Sequence, residues 1–128
     1  MAGEEVRWQE EWWVCTEGWV NVLLEMPSLG IGLHGHDVLV RLCGRWSRDG
    51  LLVYDIDSLK ATLDEILGGL DRSRLSKKLG GEAALEDLAR HVCREALRHL
   101  EKPPLELRVE ARVPNGWVEL YCRGGAGP

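Results

Sequence analysis

The stretch LELRVEARVPNGWVELYC, residues 105–122, constrains the fold more than any other. Leu105, Leu107, Val109, Ala111 and Val113 alternate with Glu106, Arg108, Glu110 and Arg112. Residues two apart on an extended chain share a face, so this segment reads as a strand with one apolar and one charged side. Pro114-Asn115-Gly116 ends the run, and Asn-Gly accepts the positive φ that a tight turn demands. The spacing predicts an antiparallel hairpin whose apolar face needs a covering layer.

Helical periodicity upstream supplies that layer. Leu59, Leu63, Ile66, Leu67 and Leu70 form one apolar stripe behind Asp57 as a candidate cap. Leu85, Leu88, Ala89, Val92, Ala96 and Leu100 form a second, and DRSRLSKKLGGE between them reads as a polar connection. Before the helices, WWVCTEGWVNVLLEM (12–26) reads as a long strand with a bulge near Gly18. The loop MPSLGIG follows, then a second strand from His34 to Trp46, with SRDG (47–50) as its closing turn. The order strand, strand, helix, helix, strand, strand predicts one α+β domain spanning 1–128, two antiparallel hairpins with helices on one face, and a disordered tail at 123–128.

Composition narrows the function classes. A formal net charge of −5 argues against a nucleic-acid partner, which rewards clustered Lys and Arg. No run approaches the ~20 apolar residues of a membrane span, and the acidic start MAGEEVRWQEEWW is unlike a signal peptide. A cytoplasmic location is therefore expected, with Cys15, Cys43, Cys93 and Cys122 as free buried thiols. Trp8, Trp12, Trp13 and Trp19 crowd the N-terminal segment, where they are expected to fill core or a subunit interface. Free sheet edges and those tryptophans together predict a homo-oligomer.

Within GLHGHDVLV, His34 and His36 share a strand face with Val38, Val40 and Leu42. Their Cα atoms stand roughly 6.5–7 Å apart, close enough for two imidazoles to converge on one cation. A zinc site takes three protein ligands or more, so the pair alone reads either as half a metal site or as strand-end histidines.

The motifs LHGHD (33–37), YDIDSLK (54–60), LDRSRLS (70–76), ALEDLA (84–89) and RVEAR (108–112) together resemble the 6-pyruvoyl-tetrahydropterin synthase family, which includes the 6-carboxy-tetrahydropterin synthases of queuosine biosynthesis. The resemblance covers residues 33–121. It implies a tunnelling fold, order ββααββ, packed as an oligomeric barrel of trimers or hexamers. It also implies zinc held by three histidines, and His34 and His36 match two of them. Glu110 matches the glutamate that grips the pterin ring, although as a bare strand residue it reads equally as a partner of Arg108 or Arg112. Asp71 matches the aspartate of a catalytic Asp-His pair.

The chain departs from the family at the remaining chemical positions. No histidine precedes His34, and the third ligand position falls near Trp19 to Asn21, with Cys15 as a substitute only if the strand is re-registered. The catalytic cysteine becomes Gly30, the glutamate some relatives carry one residue later becomes Ile31, and the histidine of the pair becomes Arg72. Glycine carries no ionisable group, and a guanidinium with a pKa above ~12 is no base at neutral pH. Glu25 and Ser28 are the nearest alternative proton carriers; Glu86, His91 and His99 read as helix-surface residues. The expectation is a divergent member with a pterin- or purine-type pocket at a subunit interface, impaired as a synthase. Two alternatives stay open: an active zinc-dependent lyase acting on 7,8-dihydroneopterin triphosphate, and a non-catalytic structural or partner subunit.

Overall fold

The structure is a computed structural model describing residues 6–46, 55–79, 83–100 and 105–124. Strand β1 (Trp12–Met26) passes through a 3-10 turn (Pro27–Leu29) into β2 (Ile31–Trp46). Helix α1 (Ile56–Gly68), strand β3 (Ser73–Arg74), and helices α2 (Leu75–Leu79) and α3 (Leu85–His99) come next, before β4 (Leu105–Val113) and β5 (Gly116–Gly124). The described residues thus make an α+β unit with a five-stranded sheet, order β3-β1-β2-β4-β5, and three helices. Every strand pair is antiparallel except β1 with the two-residue β3.

Alternation decides the two faces of the sheet. Val20, Val22 and Leu24 of β1, Val38, Val40 and Leu42 of β2, and Leu107, Val109 and Ala111 of β4 are buried beneath the helices. Leu59, Leu63, Ile66 and Leu67 of α1 and Leu88, Ala89, Val92 and Ala96 of α3 meet them. Each fully buried Leu or Val contributes about 1.5–3 kcal/mol, which makes this layer the main source of stability. Gly18 lets α1 sit close to β1, since a Cβ there would stand 2.9 Å from Leu67 Cδ1.

The opposite face carries a charged lattice instead of a second layer. Arg41 reaches Glu17 at 2.6 Å and Glu110 at 3.5 Å, and Arg112 reaches Glu110 at 2.8 Å. Arg45 and Arg123 both pair with Glu106, at 2.6 and 2.8 Å. The tryptophans expected in core or at a subunit interface are here or further out. Trp13 is half-buried, edge-on to Tyr121 and under Arg108, whereas Trp8, Trp12 and Trp19 are exposed. None of the four fills the core: Trp13 and Trp19 sit at odd positions of β1, which face away from the helices, Trp12 is the first residue of the strand, and Trp8 precedes it.

Other expectations are corrected by local geometry. The first strand pairs continuously through Gly18, and its register shift falls between Leu24 and Met26. The second strand begins at Ile31, three residues before His34. Asp55, rather than Asp57, caps α1, its side chain accepting from the Asp57 backbone N–H. The polar connection contains β3 and α2. Strand β5 continues through Gly124, two residues into the stretch expected as a tail, and residues 125–128 lie outside the described ones, as does the SRDG turn.

The free-thiol expectation fails for all four cysteines. Cys15 and Cys43 are direct cross-strand neighbours joined as a disulfide, and Cys93 of α3 is joined to Cys122 of β5. The strand register and the packing of α3 on β5 bring each pair together. Among the described residues, no helix is long and apolar enough to cross a membrane.

Candidate functional site

The helices leave the β1–β2 turn end of the inner sheet face open, and the two histidines stand there. His34 lies opposite Leu24, and His36 opposite Val22. Their rings meet edge to face with centroids 4.7 Å apart. His34 Nδ1 is 2.8 Å from the Gly32 carbonyl oxygen. A carbonyl only accepts, so Nδ1 is the donor in this contact.

These imidazoles help to line a cleft of about 230 Å³. Leu24, Met26, Ala83, Leu85 and Val113 form its apolar walls, and Glu25 and Glu86 bring carboxylates to it. Glu25 is directed inward by the register shift, which places two successive residues, Leu24 and Glu25, among the buried ones. Its backbone exchanges hydrogen bonds of 3.3 and 3.0 Å with Ala83, tying the hairpin to the approach of α3. Arg74 grips both carboxylate oxygens, at 2.9 and 3.0 Å, and the Ser76 hydroxyl donates to one of them. The Arg74 and Ser76 hydrogen bonds hold the Glu25 carboxyl below the usual glutamate range, against an opposing effect of burial.

Glu86 occupies the first turn of α3. Nothing in the linear sequence marked Glu86 as more than a helix-surface residue, since its place on the cleft depends on how α3 meets the hairpin. Glu25 had a legible signal: LLEM interrupts the period-two pattern of β1.

The remaining sequence candidates are dispersed. Glu110 is on the opposite sheet face, held by Arg112 and Arg41, so it does not join His34 and His36 within one chain. Asp71 accepts a 2.9 Å hydrogen bond from the Asn21 backbone N–H, while the Arg72 N–H donates to the Asn21 carbonyl at 2.6 Å. Together they pin the α1–α2 link onto β1, with Arg72 at φ 58°. Gly30 follows the 3-10 turn at φ 70°, its N–H donating to Pro27. That backbone favours glycine on conformational grounds alone.

His91 and His99 line a separate groove with Glu65 and Glu95, where burial lowers the His91 pKa and His99 Nε2 lies 3.8 Å from Glu65.

Among the described residues a three-donor metal set is not assembled. Val22 and Leu24, facing the two imidazoles across the hairpin, have no ligating atom, and Cys15 is bonded to Cys43 far along the strand. Among the described residues no group of three or more His, Cys, Asp or Glu side chains is placed to hold a metal ion. The arrangement sets apolar walls beside two imidazoles and two carboxylates. No protein-family model matches the chain, and no curated protein matches it either.

Proposed function

We propose that this protein is a divergent relative of the 6-pyruvoyl-tetrahydropterin synthases that binds a reduced pterin or purine-like heterocycle without synthase turnover. The observation that carries the reading is the cleft at the His34–His36 pair, which sets apolar walls beside two imidazoles and two carboxylates. The order of the four long strands, with the helices inserted between the two hairpins on one face, supports a tunnelling fold.

Turnover would need proton carriers and a polarising group. Gly30 and Arg72 stand at two of the family's proton-handling positions, and neither side chain can act as a base. Zinc would polarise a ligand carbonyl, but the two imidazoles face Val22 and Leu24, so no complete ligand set exists among the described residues and no step is routed through a metal.

Assembly follows from the edges. Among the described residues, β1 from Trp12 to Val20 and all of β5 lack a strand on their outer sides. Trp12, Trp19, Trp117 and Tyr121 are exposed on those two strands. A homo-oligomer, trimer or hexamer, joins such edges and places the cleft near a subunit boundary.

The test is to titrate purified protein with 7,8-dihydroneopterin triphosphate, following tryptophan fluorescence and triphosphate release, alongside metal analysis. Saturable binding with no release is the expected result. Triphosphate release at enzymatic rates with near-stoichiometric zinc would overturn the reading in favour of the active lyase. Absence of binding would leave a structural subunit.

A further inference from the structure

We infer that the Cys15–Cys43 disulfide is a thiol-exchange site, at which a small-molecule thiol attacks the Cys15 sulfur, forms a mixed disulfide there and releases Cys43 as the thiolate. The site lies on the charged face of the sheet and does not depend on the histidine cleft.

The two disulfides differ in access. Cys93 is 2% exposed and Cys122 packs against the core, so their link is sealed between α3 and β5. Cys15 is exposed, because odd positions of β1 face away from the helices. Cys43 is its direct partner across the hairpin and is buried, yet it stands outside the core cluster. Both line a cleft of about 130 Å³ together with Arg41, Arg108, Glu110 and Glu119.

Strand order selects the sulfur that is attacked. Exchange proceeds in line, with the incoming thiolate opposite the sulfur that leaves. Among the described residues β1 has no strand outside Trp12 to Val20, so the approach to Cys15 runs over a free edge. The approach to Cys43 is covered by β4, where Arg108 is its cross-strand partner.

Charge selects the sulfur that leaves. A thiolate is favoured beside guanidinium groups, and Arg41 and Arg108 both line the cleft. Arg41 is engaged by Glu17 at 2.6 Å and faces Glu110 at 3.5 Å. Arg108 meets Glu119 only at 4.0 Å, the longest ion pair among the described residues, so its charge is the less neutralised of the two. Cys15 has Trp13 and Glu17 as its same-face neighbours along β1 and is the poorer leaving group.

The new S–S bond forms between the small molecule and Cys15, the Cys15–Cys43 bond breaks, and its electron pair stays on Cys43. A second thiol then displaces Cys15, so two small thiols are oxidised to one disulfide while the protein link is reduced to two cysteines. The flanking pairs Val14↔Gly44 and Thr16↔Leu42 hold the register, so the hairpin outlasts the opening.

The experiment treats the oxidised full chain with reduced glutathione, quenches with acid, and maps the cysteines by peptide mass spectrometry after alkylation of free thiols. Cys15–Cys43 is expected to open roughly tenfold or more faster than Cys93–Cys122, with glutathione found on Cys15. Arg108→Gln is expected to slow that opening about threefold, whereas Arg108→Lys, which keeps the charge, stays near the wild-type rate. Circular dichroism shows whether each variant is folded. Glutathione on Cys43, equal opening rates for the two links, or free Cys15 and Cys43 in the oxidised chain would overturn the site. An Arg108→Gln rate equal to the wild type would overturn the part given to the guanidinium.

Discussion

Glu25 and Arg74 form a two-pronged ion pair, 2.9 and 3.0 Å long, between the end of β1 and the strand β3 that leads into α2. It is the polar clasp of an otherwise apolar junction, because the register shift at Leu24/Met26 brings a carboxylate to the edge of the core. Its consequence is a dependence of stability on acid. The folded-state pKa of Glu25 is lowered, chiefly by the Arg74 hydrogen bonds and then by Ser76, from the ordinary value of 4.5. A depressed carboxylate contributes stability that is present above the unfolded pKa and disappears as pH falls through the folded one. Urea midpoints measured below pH 4.5 are expected to fall more steeply for the wild type than for Glu25→Gln. Equal slopes would mean that the clasp does not form in solution.

Gly18 sets the distance between α1 and β1. Placing a branched side chain there drives it into Leu67, whose Cδ1 would be only 2.9 Å from the new Cβ. Gly18→Val is expected to cost about 1–3 kcal/mol by overpacking, read from chemical denaturation. Leu67→Ala in the same chain should recover part of the loss by making room, and no recovery would place the strain elsewhere.

A cysteine at Gly30, where the proposed kinship to the pterin synthases would put one, is not neutral. The backbone there has φ 70°, and a Cβ meets nothing within 4 Å, so the cost is conformational rather than steric crowding. Gly30→Cys is expected to destabilise the fold by about 1–2 kcal/mol and, on the function proposed above, to show no synthase turnover, since the Arg72 guanidinium is no base. Triphosphate release by Gly30→Cys would show that the cysteine alone was missing.

The Cys93–Cys122 disulfide closes a sequence separation of 29 residues between α3 and β5. Loop-closure entropy of the unfolded chain makes such a link worth about 3 kcal/mol. The Cys93→Ala/Cys122→Ala double variant should lose unfolding free energy by that margin, and a reducing agent should narrow the difference between wild type and variant. A thiol titration that finds four free cysteines in oxidised wild-type protein would refute the pairing.

Much of the fold was legible because alternation and helical stripes are local. The apolar sets at Val38, Val40 and Leu42, at Leu107, Val109 and Ala111, and on both long helices are the buried ones. What misled were residues whose position depends on a neighbour. The tryptophans of β1 looked like core by size, but strand parity turns Trp19 outward. The cysteines looked unpaired by spacing, yet cross-strand register makes Cys15 and Cys43 neighbours. Asp55 was passed over as a cap for Asp57, two residues apart, a boundary that sequence periodicity does not resolve.

The candidate site divides in the same way. That His34 and His36 share a face, and that Gly30 and Arg72 carry no base, is legible in the sequence, since these follow from side-chain chemistry and the two-residue repeat of a strand. Alternation likewise sets Glu110 on the charged face of its strand, away from the apolar face that carries the imidazoles. Packing between distant segments is what brought Glu25 and Glu86 to the cleft beside them. The physical reason is that a strand's parity is written along the chain, whereas the approach of α3 to the first hairpin is set by packing between segments some fifty residues apart in the sequence.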